Sequence, residues 1–189
     1  MAAEGGTVEE LGGRELPPLR LERKLIREAQ RGSRDALADL YAAHWSQAHR
    51  AAYLVVHDAA AAEDIAQDAF LAAVDALDRF DRRRPFAPWL HRIVVNRAID
   101  WARREALRRK LDDPDSLAEP ETSPDAVGGE LMEILAQLPP EQRAVVVLRY
   151  LLEYTPGEIA RMLGLPRGTV NSRLRRGLDR LRDLVEVEG

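Results

Sequence analysis

Apolar residues recur along this chain at spacings of three and four, the period of a helix, and the alternation expected of strands is nearly absent. The pattern predicts an all-α fold. A first helix is expected over about 20–31, stopped by Gly32. Ser33 can cap a second helix reaching about His57, with Leu37, Leu40, Tyr41, Trp45, Ala48, Ala52 and Val56 turned inward. Asp58 precedes an alanine-rich third helix over about 60–79, and Arg82-Arg83-Arg84-Pro85 then breaks the period. A fourth helix is expected from near Pro88 to about Lys110. Periodicity fails over 1–18, rich in Gly, Glu and Pro, and over 112–128, acidic and punctuated by proline. These read as a disordered leader and an extended linker. Two small helical domains, at 19–111 and 129–189, are therefore expected on a flexible tether and not as one fused globule.

The second unit opens with a helix to about Leu138, breaks at Pro139-Pro140, and resumes through Val145-Val146-Val147-Leu148. The stretch from Tyr154 to Leu174 then predicts two short helices joined by a tight turn. Thr155 can cap the first of them, Pro156 suits its first position, and Glu158 completes a capping box. Ile159, Ala160 and Leu163 form its apolar stripe, and Gly164 can stop it with a positive φ. Another helix opens near Pro166 or Arg167. At 100° per residue, Val170, Leu174, Gly177, Leu178 and Leu181 share one side, while Ser172, Arg175, Arg176 and Asp179 point away, with Asn171 at the flank. Guanidinium, amide and hydroxyl groups on one face suit base edges in a major groove. A solvated amphipathic helix is the plainer reading, but capping, turn and charge agree on a helix-turn-helix.

Charge changes the picture only when resolved along the chain. The 189 residues carry a net charge of −4, which looks wrong for a nucleic-acid binder. From Arg79 to Lys110, however, eleven Lys/Arg face three acids, a local +8. From Asp112 to Glu133 there are eight acids and no base, and from Arg161 to Arg182 seven Arg face one acid, a local +6. Two basic modules thus flank an acidic connector. The chain has no cysteine, no apolar run of membrane-spanning length and no export pattern at its N-terminus, so a cytoplasmic protein without membrane insertion is expected. His44, His49, His57 and His91 show no chelating spacing, and no phosphate-cradling glycine loop or nucleophile elbow is present. Neither an enzyme nor a cofactor is expected.

The first unit carries two further constellations. On its third helix Ile65, Ala69, Ala72, Ala73 and Ala76 form the buried arc, while Asp64, Gln67, Asp68, Asp75 and Asp78 lie opposite with Leu71 among them. Periodicity alone leaves this stripe as either a docking face for a basic protein surface or a solvated face. On the fourth helix Val94, Ala98, Trp101 and Ala102 occupy one arc, and Arg92, Asn96, Arg97, Asp100, Arg103 and Arg104 the other. Trp89 and Ile93 fall on the polar arc, either as a second core contact or facing DNA. Phe80, Arg82 to Arg84 and Phe86 lie just upstream, and aromatics interleaved with arginines suit unpaired bases.

Four blocks now stand in order: Ala62 to Leu71, Phe86 to Asp100, Leu138-Pro139-Pro140-Glu141-Gln142-Arg143, and Pro166 to Leu174. Over about residues 20–186 the chain resembles the extracytoplasmic-function (group IV) sigma factors of bacterial RNA polymerase. The resemblance implies a sigma region 2 domain, a sigma region 4 domain, and a partner in core polymerase. Asp64, Gln67, Asp68 and Leu71 would then dock on the clamp helices of the polymerase's largest subunit. Phe86, Trp89, Arg92, Asn96, Arg97, Arg103 and Arg104 would hold the promoter −10 element as single strand, with a flipped base in the loop before Pro88. Arg167, Thr169, Asn171, Ser172, Arg173, Arg175 and Arg176 would read the −35 element as duplex. The linker would thread towards the active-site cleft and RNA exit path. The family often has Lys or Arg in place of Asn171, which bears on base preference. It often has Ala in place of Gly177, which either loosens the helix by roughly 1 kcal/mol or permits a close approach. With no long C-terminal extension, regulation by a separate anti-sigma factor is expected. A free-standing helix-turn-helix regulator that ignores polymerase is the alternative.

Overall fold

The computed structural model describes residues 17–112 and 129–188, so the expected leader falls almost wholly, and the linker nearly so, outside the described residues. Among the described residues there are eight α-helices and no strand. Helix α1 (Leu19–Ala29) ends in a turn at Gly32, whose φ of 92° suits glycine. Ser33 Oγ accepts from the Ala36 N–H at 3.2 Å to start α2 (Arg34–Val56), and His57 stops it in the left-handed region. Asp58 caps α3 (Ala59–Ala76) through the Ala61 N–H at 2.8 Å, and a single 3₁₀ turn over Leu77–Arg79 follows.

Helix α4 (Phe86–Asp112) begins before Pro88, for a reason outside its own sequence. The buried Glu22 carboxylate on α1 accepts from the Phe86 N–H at 3.4 Å and lies 3.2 Å from Nε2 of buried His44. An anion at a helix N-terminus satisfies an orphan donor and opposes the positive end of the helix dipole. In this domain α2 packs against α1, α3 and α4, around Leu40, Val55, Ile65, Phe70, Leu90 and Val94. Tyr41 lies more exposed than expected, stacked on Trp45 at 5.0 Å.

The second domain comprises α5 (Gly129–Ala136), α6 (Pro140–Val146), a wide π turn over Val147–Leu151, α7 (Pro156–Leu163) and α8 (Arg167–Glu188). Leu135, Leu138, Val145, Leu148, Ile159 and Val170 fill its core.

The two domains do not stand apart. Helix α4 lies against α6 and α7, α2 lies against α6, and the buried apolar residues of both domains form one continuous cluster. Both expected helical domains are present, and the contact between them is what the sequence pattern left out. It also explains why Val95, Ile99 and His91 are buried together with Val94, Ala98 and Ala102, widening the expected apolar arc of α4. The helix has neighbours on two sides.

Candidate nucleic-acid interface

The helix-turn-helix closes as its local sequence dictates. Thr155 Oγ1 accepts from the Glu158 N–H at 3.3 Å, and the Glu158 carboxylate accepts from the Thr155 N–H at 2.8 Å and from its hydroxyl at 2.6 Å. These bonds hold the Glu158 carboxyl below its ordinary pKa. Gly164 ends α7 with φ 65°, a conformation that would strain any residue bearing a Cβ.

On α8, Val170, Leu174 and Gly177 are buried and Leu178 and Leu181 half-buried, whereas Asn171, Arg175, Arg176 and Asp179 are exposed. Arg176 folds back on its own helix, donating from Nη2 to Ser172 Oγ at 2.8 Å and from Nε to Ser172 O at 3.3 Å. The pair thus presents a guanidinium and a hydroxyl already oriented together. Arg167 is exposed at the start of the helix and Thr169 half-buried beside it. Arg173 departs from this face: it is half-buried, and its charge acts on Glu141 of α6. Gly177 resolves into a close approach, since a Cβ there would stand 3.0 Å from Val146 Cγ2.

On α4 the placement is less uniform. Phe86 is 3% exposed and packs against Phe80, Trp89 and His44, so it is a core residue and offers no face to a base; this corrects its place among the DNA-facing residues. Its side chain is claimed by the first domain's core at the point where α4 begins. Trp89 and Ile93 are half-buried against that core, and Trp89 has Phe80 at 4.6 Å between ring centroids. The other side of Trp89 lines a cleft of about 330 Å³ with Arg84, Arg92, Arg161 and Met162. Arg92, Arg97 and Arg104 are exposed, and Asn96 is half-buried, not on the open surface. Arg103 is committed: its Nε donates to Glu141 Oε1 at 2.6 Å, and Asp100 lies 3.6 Å away. Burial alone would raise the Glu141 pKa, but the Arg103 hydrogen bond and the charges of Arg103 and Arg173 hold it below its ordinary value.

Helix α3 turns Asp64, Gln67, Asp68 and Asp75 to solvent over a buried Ile65, Ala69 and Ala73, and Asp78 is exposed on the 3₁₀ turn that follows. Leu71 stands among them 65% exposed. A large apolar side chain left in water amid carboxylates is a sign of a surface meant to be covered.

Several residues that govern the site's geometry carry no local signal. Arg143 is 8% exposed and donates to Ala136 O at 2.6 Å, Leu138 O at 3.0 Å and, across the domains, Val55 O at 2.7 Å. His91 Nδ1 lies 2.8 Å from the Tyr154 hydroxyl. Burial, with the neighbouring His44 charge, lowers the His91 pKa to about 4, and burial and Glu158 push Tyr154 up to about 12. His57 is likewise lowered to about 4 by burial and by Arg143. Only the Leu138–Arg143 block hinted at any of this, and it did not say what Arg143 would bind.

The family models agree with this anatomy. Sigma-70 region 2 matches residues 40–108, spanning most of α2, all of α3 and most of α4, and Sigma-70 region 4 matches residues 128–181, spanning α5 to most of α8. Among characterised proteins, the ECF RNA polymerase sigma factor SigW of Bacillus subtilis (strain 168) is 32% identical over 176 residues, covering 85% of this chain and 94% of that protein. The ECF RNA polymerase sigma factor SigM of Mycobacterium tuberculosis (strain ATCC 25618 / H37Rv) is 35% identical over 168 residues, covering 88% of this chain and 85% of that protein. Among solved structures, CnrH in complex with the cytosolic domain of CnrY superposes with a TM-score of 0.67 at 30% identity, over 89% of this chain and 99% of that one. The sigma factor RpoE bound to the anti-sigma factor NepR from Bartonella quintana shares the fold, with a TM-score of 0.62 at 21% identity, over 80% of this chain and 98% of that one. With both regions matched in order and near-full-length relatives sharing a third of their residues, the chain belongs to the extracytoplasmic-function sigma factors of bacterial RNA polymerase.

Proposed function

We propose that this sigma factor works as a non-enzymatic adaptor in the cytoplasm, carrying core polymerase to promoters through three faces on three rigid helices. The α3 stripe of Asp64, Gln67, Asp68 and Leu71 docks on a basic surface of core polymerase. Trp89, Arg92, Asn96, Arg97, Arg103 and Arg104 on α4 hold the melted −10 strand, with arginines on phosphates and the indole available for stacking. Phe86 supports Trp89 from beneath. On α8, Asn171, Ser172, Arg175 and Arg176 read −35 base edges, and Arg167 and Thr169 at the helix start approach the backbone. Arg173 sits to the side, towards Glu141. An anti-sigma factor regulates the protein by covering these faces, a reading supported by the related RpoE structure bound to one.

The observation that carries this reading is Leu71, a large apolar side chain exposed among the carboxylates of α3. A free-standing helix-turn-helix regulator whose N-terminal helices dimerise would use such a face to pair with a second copy, so polymerase-dependent transcription separates the two readings. Transcription in vitro with core enzyme on a random promoter library tests it. Initiation at promoters sharing −35 and −10 elements is expected. Asp64→Ala with Asp68→Ala should weaken co-elution with core polymerase; unchanged co-elution would remove the docking face. Tight duplex binding with no polymerase-dependent transcription would return the protein to the regulator class.

A further inference from the structure

Helix α1 carries no residue of the three faces, yet it grips the segment between α3 and α4 at both ends. At the entry Gln30, just past the end of α1, donates from Nε2 to Leu77 O at 2.9 Å and to Phe80 O at 3.1 Å. At the exit Glu22 accepts from the Phe86 N–H at 3.4 Å and lies 3.2 Å from the buried His44 ring. The loop over residues 81–85 is thus hung between two fixed points on one helix. Its own turn is closed by the Arg84 N–H, which donates to Asp81 O at 2.9 Å.

Between α1 and this loop lies a second basic cleft, of about 450 Å³, lined by Arg23, Arg27, Phe80, Asp81, Arg82 and Arg83. Four guanidiniums meet one carboxylate there, and that carboxylate is already engaged. Asp81 Oδ1 accepts from the Arg83 N–H at 3.0 Å and lies 3.9 Å from Arg83 Nε. Glu28, beside Arg27 in the chain, pairs with Lys24 at 3.9 Å. Among the described residues no carboxylate pairs with Arg23, Arg27 or Arg82. Like charges gathered on a pinned frame repel one another unless an anion joins them.

The lining says which anion. A docking protein segment would seek an apolar anchor, but Phe80, the one apolar lining residue, is 7% exposed and packed against Phe86 and Trp89. Phosphate oxygens need no such anchor, and guanidinium forks fit them bidentately. Arg23 and Arg27 stand one helical turn apart, about 6 Å, a spacing close to that of consecutive phosphates in an extended strand. The next arginine of the loop, Arg84, lines the Trp89–Arg92 cleft instead. The two clefts meet at consecutive arginines, so a strand held on Trp89 and Arg92 can run on over the loop towards α1. We propose that α1 is the second wall of the strand-holding site, its Arg23 and Arg27 closing with Arg82 and Arg83 on consecutive backbone phosphates of the melted −10 strand. This rests on the promoter reading given above.

The test uses holoenzyme assembled from the full chain and core polymerase. Its ligand is a labelled promoter fragment, drawn from the library, whose −10 segment is pre-melted by mismatches. A duplex carrying the −35 element alone is the control. Arg23→Ala with Arg27→Ala removes two exposed cations, so affinity for the bubble should fall roughly tenfold while the −35 duplex binds as before. With about 0.7 of salt slope for each single-strand phosphate, losing two contacts should lower the slope by about 1.4. Between about 50 and 200 mM salt, the unmodified holoenzyme should therefore lose about sevenfold more affinity than the variant. Arg23→Lys with Arg27→Lys should keep the slope and lose part of the affinity with the fork. A neutral methylphosphonate walked along the melted strand should weaken the unmodified holoenzyme at the clamped phosphates and leave the alanine variant indifferent there. Unchanged bubble affinity and slope in the alanine variant overturn the clamp. Equal losses on bubble and −35 duplex also overturn it, since they mark a general basic surface. Lost co-elution with core polymerase overturns it in favour of a protein-binding cleft. Failure of the unmodified holoenzyme to prefer the bubble over the matched duplex counts against the promoter reading instead. The free full chain is then titrated with oligothymidylate of about 20 nucleotides, and equal salt slopes with and without the two arginines would overturn the clamp on its own.

Discussion

Helices α4 and α8 are both long and rich in arginine, but α8 packs along one side while α4 is packed along two. On α8 the buried Val170, Leu174 and Gly177 leave Asn171, Arg175 and Arg176 open to a ligand. On α4 the first domain takes Phe86, Leu90, Val94 and Ala98, and α6 and α7 lie against another part of its surface. Arg103 and His91 are already bonded to the second domain, and Trp89 is half-buried. The difference teaches that equal charge does not mean equal availability. A helix packed along one side exposes its chemistry, and a helix packed along two rations it. The duplex-reading face is open and the strand-holding face is partly covered.

Loosening the bond between the second domain and α2, which α4 also packs against, should have the largest effect. Arg143→Ala deletes the donor to three carbonyls, two of them in its own domain, and leaves buried acceptors unpaired. A loss of about 3–5 kcal/mol is expected in urea unfolding of the full chain. A change of less than about 1 kcal/mol, the cost of one ordinary hydrogen bond, would mean that Arg143 does not join the domains.

Acid should act where the domains meet, at His57 beyond α2 and at His91 on α4. His57 and His91 have folded pKa values of about 4, below the ordinary value of 6.5, so their neutral forms belong to the folded state. The unfolded chain binds more protons between those values, so stability is full above about pH 6.5 and falls as pH drops towards 4. His91 faces His44 and its partner Glu22, together with Tyr154, and His57 faces Arg143, so neither added proton meets a free carboxylate. About 2 kcal/mol per ring, about 4 kcal/mol for the two, should be lost between pH 7 and 5. Urea midpoints that stay flat across this window would contradict the burial of both rings.

Helix α8 is sharpened by Arg176→Ala. If the guanidinium oriented by Ser172 reads a base edge, initiation should lose about 1–3 kcal/mol of discrimination at one −35 position. Wild-type preference at every −35 position in a promoter library would show that Arg176 reads no base. The smallest effect belongs to the packed side of α8. Gly177→Ala gains roughly 1 kcal/mol of helix propensity, but its Cβ meets Val146 Cγ2 at 3.0 Å. The net change should stay within about 1 kcal/mol either way. A larger loss in thermal unfolding would mean that α6 cannot yield at that point.

Much of the anatomy was legible because its causes are local. Ser33, Asp58 and the Thr155–Glu158 box bond groups three residues away, and Gly164 acts on its own φ. The Asp64–Leu71 stripe follows from helical period alone. Other features lay out of reach for an equally physical reason. Arg143 and Val55 are 88 positions apart, and His91 and Tyr154 are 63 apart. No spacing rule connects such pairs. Phe86 was misassigned because an aromatic beside arginines looks the same whether it faces a base or a core. The early start of α4 depends on Glu22, 64 positions away.

The order of residues therefore determined the helices, their caps, the segregation of charge and the faces that the two long basic helices could present, since each is set within a few turns of chain. Only tertiary structure decided that the two domains touch, that Glu141 occupies Arg103, and that Gly177 lies against α6. Those outcomes depend on which surfaces bury one another, and burial is a property of the assembled chain, not of any stretch of it.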